Sequence, residues 1–300
     1  MLWLVLAVSC NLAIAMLFKY SERRGLDRAV LLTVNYAVAS ILAAVFVFTG
    51  EGGPAVLRGG LGLPALSIGT GVLFIGGYYL FAYSIREAGM GLATGIVKIA
   101  VVLPVLASWV IWKEVSSSLQ MAGLVLAGAA FFLIAQPGAS AGLPRGAPHK
   151  PGRLRMAGIL GLLFLSGGLV DIAMKTFGEV YASTNSRSLF LLFVFSAAFL
   201  VGVGFVLGKG IRTPHTVVPV RGEHSVYGWG LVFGLVNYGS AAFILGAIDE
   251  LPGPFVFPVN NIAIVVGAAA LGVGVWGERL SKTNWTGLAM AAAALALLWG

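Results

Sequence analysis

The sequence predicts an all-α integral membrane protein with ten transmembrane helices, arranged as two inverted five-helix repeats. Three observations lead to this fold class. The composition is strongly apolar, the apolar residues fall in long runs without alternation, and a 49-residue segment of the first half recurs in the second half. Apolar runs of about 20 residues are long enough to cross a bilayer as helices.

The composition excludes a soluble domain. Hydrophobic residues make up 59% of the chain, charged residues make up 10%, and the mean hydropathy is +0.96, whereas a soluble domain carries about 25% charged residues. The 42 glycines suit helices that pack closely in lipid. The single cysteine, Cys10, excludes an internal disulfide and a cysteine-based metal cluster. A lipid bilayer is therefore the expected environment, and no cofactor is expected.

A linker rich in proline and glycine divides the chain into halves. We expect the first five-helix repeat over residues 1–136, the linker over 137–156 and the second five-helix repeat over 157–300. The ten predicted spans are 2–18, 29–49, 62–84, 90–112, 119–136, 157–175, 188–208, 227–247, 254–276 and 285–300.

The internal repeat aligns residues 88–136 with residues 252–300 without a gap, and twelve of the 49 aligned positions are identical. Several identities are alanine or leucine, but a frame of tryptophan, glutamate and glycine is harder to obtain by chance. We expect the glutamate of each frame, together with the serines that follow it (Ser116–Ser118 and Ser281), to stabilise the N-terminus of the next helix. The frame is Trp112-x-Glu114-x8-Gly123 in the first copy and Trp276-x-Glu278-x8-Gly287 in the second.

The distribution of lysine and arginine among the loops predicts the orientation in the membrane. Of the 19 cations, 14 fall in odd-numbered loops, 4 in even-numbered loops, and Lys98 falls inside a span. Cytoplasmic loops carry the excess of positive charge, so the odd loops are assigned to the cytoplasm and both termini to the outside. Five helices per half would make the second half enter the membrane from the opposite side. No basic stripe with interleaved aromatic residues is present, which excludes nucleic acid as the expected partner.

The five-plus-five layout and the tryptophan–glutamate frame resemble the drug/metabolite transporter superfamily, in its EamA-type branch. The likeness covers nearly the whole chain and is strongest in ATGIVKIAVVLPVLASWVIWKE and FPVNNIAIVVGAAALGVGVWGERLSKTNWTGL. The resemblance implies a cavity walled largely by the third, fourth, eighth and ninth helices, and movement of metabolites, often outward, as in amino-acid exporters. Small multidrug-resistance relatives use a glutamate in the first helix, where this chain offers only Asn11. Many ten-helix members have cytoplasmic termini, in contrast to the charge bias here.

Two ionisable residues inside the predicted spans are the leading functional candidates. Lys98 lies eight residues into the fourth span, or roughly 12 Å deep at 1.5 Å per residue. An ammonium there should face a partner or a wet cavity, where it could anchor a carboxylate or phosphate, although snorkelling to the interface is the alternative. Asp171 precedes Lys175 by four residues, so a local ion pair is the simple expectation. If the sixth helix extends further, Asp171 could instead pair with Lys98 or take a coupling proton.

Five uncharged residues are further candidates for substrate binding. Two adjacent amides occupy the ninth span near the repeat counterpart of Lys98, and Pro252, Pro254 and Pro258 before them predict an irregular start to that helix. Amides can bind a polar substrate, and tyrosines can add hydrogen bonds and stacking surfaces, although interhelical bonding and packing are the alternatives. These candidates are Asn260 and Asn261 in the ninth span, Asn237 and Tyr238 in the eighth, and Tyr79 in the third.

The expected function is secondary transport or facilitation, with export as the expected direction, of a small polar or anionic metabolite such as an amino acid. The mechanism would be alternating access, and the location the inner (plasma) membrane, as a monomer or homodimer. A sugar-phosphate or nucleotide-sugar exchanger and a cationic drug exporter are alternatives within transport. A membrane-embedded enzyme or a non-transporting membrane subunit is less expected, because no catalytic cluster or metal spacing occurs in the sequence.

Overall fold

The computed structural model describes residues 1–50, 57–58, 60–88, 90–114, 116–134, 153–212, 223–277 and 280–299, and these residues contain no strand. Glu278 and most of the predicted linker lie outside the described residues. A π-helical segment, Phe177–Tyr181, continues α7 without interruption. The α-helices are α1 Leu2–Arg23, α2 Arg28–Thr49, α3 Gly62–Ala88, α4 Met90–Ile99, α5 Val102–Val110, α6 Ser118–Ile134, α7 Arg153–Thr176, α8 Arg187–Arg212, α9 Glu223–Glu250, α10 Gly253–Trp276 and α11 Lys282–Trp299.

Seven of these helices are long and apolar enough to cross a membrane, so the chain is a multi-pass helical membrane protein. Large apolar side chains on their outer faces are exposed, among them Phe48, Leu162 and Leu200, as lipid-facing positions require. The seven segments are Leu2–Ser21, Arg28–Thr49, Gly62–Phe81, Leu154–Tyr181, Arg187–Gly208, Val226–Glu250 and Gly253–Val275.

The other three predicted spans are also helical, but each departs from a regular membrane-crossing helix. The fourth span is broken into α4 and α5. The fifth and tenth spans form α6 and α11, which have 17 and 18 residues. At 1.5 Å per residue such helices are somewhat shorter than a hydrocarbon core of about 30 Å.

The helices group into two compact units, each of which combines segments from both halves of the sequence. The first unit contains Met1–Ile75 and Ala173–Asp249, and the second contains Gly76–Ile172 and Glu250–Gly300. Helices of one half therefore pack against helices of the other half within each unit.

In the first unit, α2 packs against α8 in an antiparallel arrangement. Thr33, near the start of α2, lies against Gly202, near the end of α8. Further along α2, the ring of Tyr36 stacks on that of Phe195, with centroids 6.3 Å apart. As α2 advances, its contacts on α8 move backward, so the two helices run in opposite directions.

In the second unit, α6 and α11 also pack antiparallel, through two reciprocal glycine contacts. A glycine near the start of each helix lies against residues near the end of the other, so each backbone approaches its neighbour closely. The two contacts are equivalent in the repeat: each residue of one contact is 164 positions from its counterpart in the other. The contacts join Gly123 to Ala294 and Leu298, and Gly287 to Ala130 and Ile134.

The turns before α6 and α11 carry the same cap at the same 164-residue spacing. Ser117 and Gln120 exchange hydrogen bonds of 3.1 and 3.2 Å, each side chain accepting from the other residue's backbone N–H. Ser281 and Asn284 form the equivalent pair, with both bonds at 3.1 Å. Such a capping box satisfies two donors that a helix start leaves without intrahelical partners. The two copies of the repeat thus share local structure as well as sequence.

Glu114 contacts the start of a helix that lies far along the chain. Its Oε2 atom accepts a hydrogen bond of 3.2 Å from the backbone N–H of Gly253, the first residue of α10. The carboxylate therefore lies at the positive end of the α10 dipole, while Ser117 caps the helix that follows Glu114 in sequence. The serine part of the prediction is therefore confirmed for α6, and Glu114 has a further contact with the start of α10.

The start of α10 also differs from expectation. Pro252 is extended, with a φ of −60° and a ψ of 142°, and the helix runs continuously from Gly253 to Trp276. Pro254 falls in the first turn, where its missing N–H would have no intrahelical partner. The predicted irregular start is therefore wrong, and Pro258 affects only one hydrogen bond inside a continuous helix.

Replacing Gly287 by alanine is expected to destabilise the protein by roughly 1–3 kcal/mol through overpacking. A Cβ atom there would lie 2.7 Å from the Ile134 side chain and 3.0 Å from the Ala130 carbonyl oxygen. The matched control is Gly128→Ala in α6, where a Cβ meets nothing within 4 Å and alanine favours the helix by up to about 1 kcal/mol. Thermal unfolding in detergent compares the two variants. Equal melting temperatures would contradict the close packing of α6 on α11.

Candidate functional site

Lys98 lies in the last turn of α4, immediately before the helix breaks at Ala100 and Val101. Pro104 explains the break, because it has no N–H to donate to the carbonyl of Ala100. The chain instead makes tighter turns, with a bond of 3.4 Å from the Val101 N–H to the Lys98 carbonyl. The prediction of one continuous helix over 90–112 is therefore wrong. A cation at the C-terminal end of a short helix is favoured by the helix dipole.

The ammonium of Lys98 is held by Asn261 of α10. Its Nζ atom donates a hydrogen bond of 3.1 Å to Asn261 Oδ1, and Asn261 Nδ2 donates one of 3.1 Å to the Phe257 carbonyl. The second bond fixes the orientation of the amide, so that its oxygen faces Lys98. The amide uses one of the three ammonium donors, which leaves two with no hydrogen-bond partner among the described residues. Both side chains keep part of their surface accessible.

Asp171 lies near this ammonium because α7 passes close to the α4–α5 break. Gly167 of α7 lies against Ala100, and Gly168 lies against Leu103. Asp171 follows Gly167 by one helical turn, and a helical side chain leans toward its own N-terminus. A Cβ at Gly167 would lie 4.0 Å from the Val97 carbonyl oxygen, so the turn of α7 before Asp171 lies beside the turn of α4 that carries Lys98.

The sixth helix continues beyond the predicted end at residue 175, to Thr176 and then through the π-helical segment. Asp171 is therefore well inside the helix. This is the condition under which the sequence allows Asp171 to pair with Lys98 or take a coupling proton. The structure pairs Lys175 with Glu179, at 2.6 Å, and the predicted pair with Asp171 stays a prediction. Lys175 is only 1% exposed and lies inside α7, although the loop count above includes it among the four cations of the even-numbered loops.

Asn260 and Tyr79 belong to the same unit as Lys98. The Oδ1 atom of Asn260 is buried and accepts no hydrogen bond from the described residues. The ring of Tyr79 lies edge-on to that of Tyr78, with centroids 6.2 Å apart. Of the two adjacent amides, Asn261 is the one that contacts Lys98, since neighbours on a helix point about 100° apart.

Asn237 and Tyr238 belong to the other unit and have partners there. Asn237 Nδ2 donates a hydrogen bond of 3.2 Å to Asn35 Oδ1. The ring of Tyr238 stacks on Phe46, with centroids 5.5 Å apart and planes inclined by 2°, and it also contacts the ring of Phe195, with centroids 6.3 Å apart. These contacts give both residues a structural role, and their contact with substrate stays a prediction.

The sequence reasoning missed two ion pairs of the first unit. One joins Lys175 to Glu179 and the other joins Arg187 to Asp249. The first could have been found from its four-residue spacing. The second joins residues 62 positions apart, for which the sequence holds no local signal. In the described part of the chain, no group of three metal-ligating side chains occurs.

Comparisons with known proteins support the fold more than the chemistry. No protein-family model matches the chain. An uncharacterized protein of Haemophilus influenzae is 24% identical over an alignment of 314 positions, which covers 99% of this chain and 97% of that protein. A solved crystal structure shares 15% identity with a TM-score of 0.71, covering 99% of this chain and 98% of the other. The chain therefore has the fold of a known structure along its whole length.

Replacing Asn261 by leucine is expected to weaken the binding of an anionic ligand by roughly twofold to tenfold, the order of the net contribution of one hydrogen bond. Without the amide oxygen, the Lys98 ammonium is no longer held in one orientation. Titration of the wild-type protein and the variant with the same ligand measures the change. A variant that binds the ligand as tightly as the wild-type protein would contradict the assignment of Asn261 to Lys98.

Proposed function

We propose that this protein is a secondary transporter or facilitator that moves a small polar or anionic metabolite, such as an amino acid, across the membrane, with export as the direction. The proposed mechanism is alternating access in a protein of ten spans arranged as two inverted repeats. The bacterial-type inner membrane is the proposed location, and the EamA-type drug/metabolite transporters are the proposed family.

The packing of equivalent helices supports an inverted repeat. In the alignment of the halves, α6 and α11 hold equivalent positions, and α2 and α8 are each the second helix of their half. Both pairs run antiparallel, and the reciprocal glycine contacts of α6 and α11 are those of a local two-fold axis. Equivalent helices that run in opposite directions are what repeats of opposite orientation in a membrane require, and such repeats underlie alternating access.

The observation that carries the proposal is the ammonium of Lys98, held by Asn261 at a helix break and accompanied by Asp171. Each charged side chain in the centre of a spanning helix costs about 2.5–3.5 kcal/mol on insertion scales. A leucine at each position would avoid that cost, so a polar group retained there favours a binding role. Helix breaks at such depth also release backbone groups that can bind a ligand.

Two alternative classes of substrate would suit one or other charged residue of the Lys98, Asn261 and Asp171 cluster. Lys98 would also suit the phosphate of a sugar phosphate or nucleotide sugar, and Asp171 would suit a cationic drug. The residues that distinguish the three classes are therefore Lys98 and Asp171 themselves.

The experiment is a thermal-shift screen of the detergent-purified protein against amino acids, organic acids, phosphorylated sugars and cationic dyes. Ligands that stabilise the protein are then assayed for counterflow in proteoliposomes. The expected result is stabilisation by an anionic or zwitterionic class and accumulation of the same compound in the vesicles. A folded protein that responds to no class and exchanges none of them would contradict a transport function.

A further inference from the structure

The turn between α1 and α2, in the first unit, has a geometry fixed by local hydrogen bonds. Gly25 adopts the left-handed conformation, with a φ of 65°, and the Leu26 N–H donates a hydrogen bond of 3.1 Å to the Ser21 carbonyl. This pattern is the Schellman motif, which closes the C-terminal end of a helix. The Oδ1 atom of Asp27 then accepts bonds of 2.8 and 3.3 Å from two backbone N–H groups in the first turn of α2. The residues of this turn are therefore held in one arrangement.

Apolar and aromatic contacts hold the same turn against the start of α9. Leu26 is buried with Leu31 and Val226, and Trp229 packs against that cluster. The ring of Trp229 also contacts that of Tyr20, near the end of α1, with centroids 4.5 Å apart. Three membrane-spanning segments have their ends at this corner. Because tryptophan and tyrosine are enriched where a bilayer meets water, the corner is expected at the level of the lipid headgroups.

Arg24 lies over the tyrosine of this aromatic pair and is exposed. Its guanidinium carbon is 4.9 Å from the centre of the Tyr20 ring, which is within the range of a cation–π contact. Stacking uses the flat face of a guanidinium, whereas its N–H donors lie around the edge and can bind a phosphate through two parallel hydrogen bonds. The ring also restricts the long side chain before a ligand binds, which lowers the entropy lost on binding.

From this corner we propose that the protein binds the phosphate of an anionic phospholipid of the surrounding bilayer. The Arg24 guanidinium donates hydrogen bonds to the phosphate. Arg28, which is also exposed, adds a second positive charge at the start of α2. This lipid site lies outside the proposed substrate cluster and does not depend on the proposed transport function.

The charge of the corner favours a lipid with a net negative charge. Residues 19–28 hold four lysines or arginines and two acids, which gives a net charge of +2, and the carboxylate of Asp27 already accepts from the start of α2. Clusters of cations next to a spanning helix attract anionic headgroups. The headgroup of phosphatidylcholine also carries a choline cation, which these arginines repel. A free phosphate lacks the acyl chains that keep a lipid at the depth of the two aromatic rings.

The test measures lipid binding by native mass spectrometry of the detergent-purified protein, with phosphatidylglycerol and phosphatidylcholine of identical acyl chains as probes. The wild-type protein should bind a first phosphatidylglycerol more tightly than phosphatidylcholine, by roughly tenfold or more. Arg24→Gln should lower the affinity for phosphatidylglycerol by roughly fivefold, and Arg24→Gln/Arg28→Gln should remove most of the preference. Tyr20→Leu removes the ring beside Arg24 and should weaken binding in part, whereas Tyr20→Phe keeps the ring and should not.

Lys282→Gln is the matched control, since it removes an exposed cation at the start of α11 in the other unit. It should leave the preference unchanged, and because both residues are exposed, Lys282→Gln and Arg24→Gln should melt at the wild-type temperature. Equal binding of the two lipids, or an equal loss in Arg24→Gln and Lys282→Gln, would overturn the lipid site.

An excess of inorganic phosphate distinguishes a lipid headgroup from a soluble phosphate compound. Phosphatidylglycerol should remain bound in its presence. Displacement by phosphate, but not by chloride at the same ionic strength, would assign the corner to a soluble phosphate and overturn the lipid assignment. None of these outcomes bears on counterflow of a metabolite, so the lipid site and the transport function fail separately.

Discussion

Replacing Lys98 by methionine is expected to abolish counterflow of the substrate and to weaken its binding by roughly tenfold to a hundredfold. Methionine has nearly the same length and packs well, but it offers no charge and no donor. The variant would therefore keep the shape of the α4–α5 break while losing the group that holds the negative part of the ligand. Thermal shift and calorimetry give the affinity, and counterflow in proteoliposomes gives the transport rate.

The same substitution has a stability effect that can be separated from its binding effect. Lys98→Met leaves the carboxylate of Asp171 without its opposite charge, which lowers the stability of the ligand-free protein. The double variant Lys98→Met/Asp171→Asn removes the uncompensated charge and should recover most of the lost melting temperature without recovering binding. A single variant that transports at the wild-type rate would show that Lys98 is a structural residue.

The parts of the fold that depend on local chemistry could be predicted from the sequence. The positions of the apolar helices follow from the length and hydrophobicity of the runs. The 164-residue repeat predicts which residues of α6 and α11 are equivalent. The structure gives these residues equivalent contacts, including the serine caps of the two helices and their reciprocal glycines. Even Lys113, a residue with a side chain, adopts the left-handed conformation of its repeat counterpart Gly277, with φ values of 59° and 65°.

The fourth helix shows where the same reasoning fails. Pro104 lies in the middle of a long apolar run, and hydrophobicity alone predicted one span across it. A proline in a transmembrane helix can bend the helix or interrupt it, depending on whether nearby groups satisfy the freed carbonyl. Here, the Leu103 N–H bonds to the Ala100 carbonyl at 3.0 Å, which stabilises a tight turn. Whether the proline bends the helix or interrupts it depends on local backbone geometry, which cannot be predicted from hydrophobicity.

The candidate site was predicted as a set of residues but not as a set of contacts. Lys98 and Asp171 stood out because charges are rare in spanning helices, and the structure brings them together with Asn261. Asn237 and Tyr238 were placed in the same group by residue type and depth, yet their contacts in the structure are with Asn35 and Phe46. Contacts between helices far apart in sequence have no local signal, so apart from the Lys98–Asp171 alternative no partners could be assigned before the packing was known.

The pair of Lys175 and Glu179 gives the largest expected stability effect in the first unit. Lys175 is 1% exposed and its Nζ atom lies 2.6 Å from Glu179 Oε1, while Glu179 is 37% exposed. Glu179→Gln removes the negative charge and leaves a buried ammonium beside a neutral amide. We expect a loss of roughly 1–3 kcal/mol, below the 3–5 kcal/mol typical of a broken fully buried pair, because Glu179 is partly exposed and lies two residues before the end of the span.

Lys175→Met should behave differently, although it breaks the same ion pair. It removes the buried charge and leaves an exposed carboxylate that water can solvate, so the change in stability should be small or favourable. Thermal unfolding of the two single variants and of the double variant measures this asymmetry, and the double variant should resemble Lys175→Met. If Glu179→Gln were the milder of the two changes, the buried ammonium would not depend on this carboxylate.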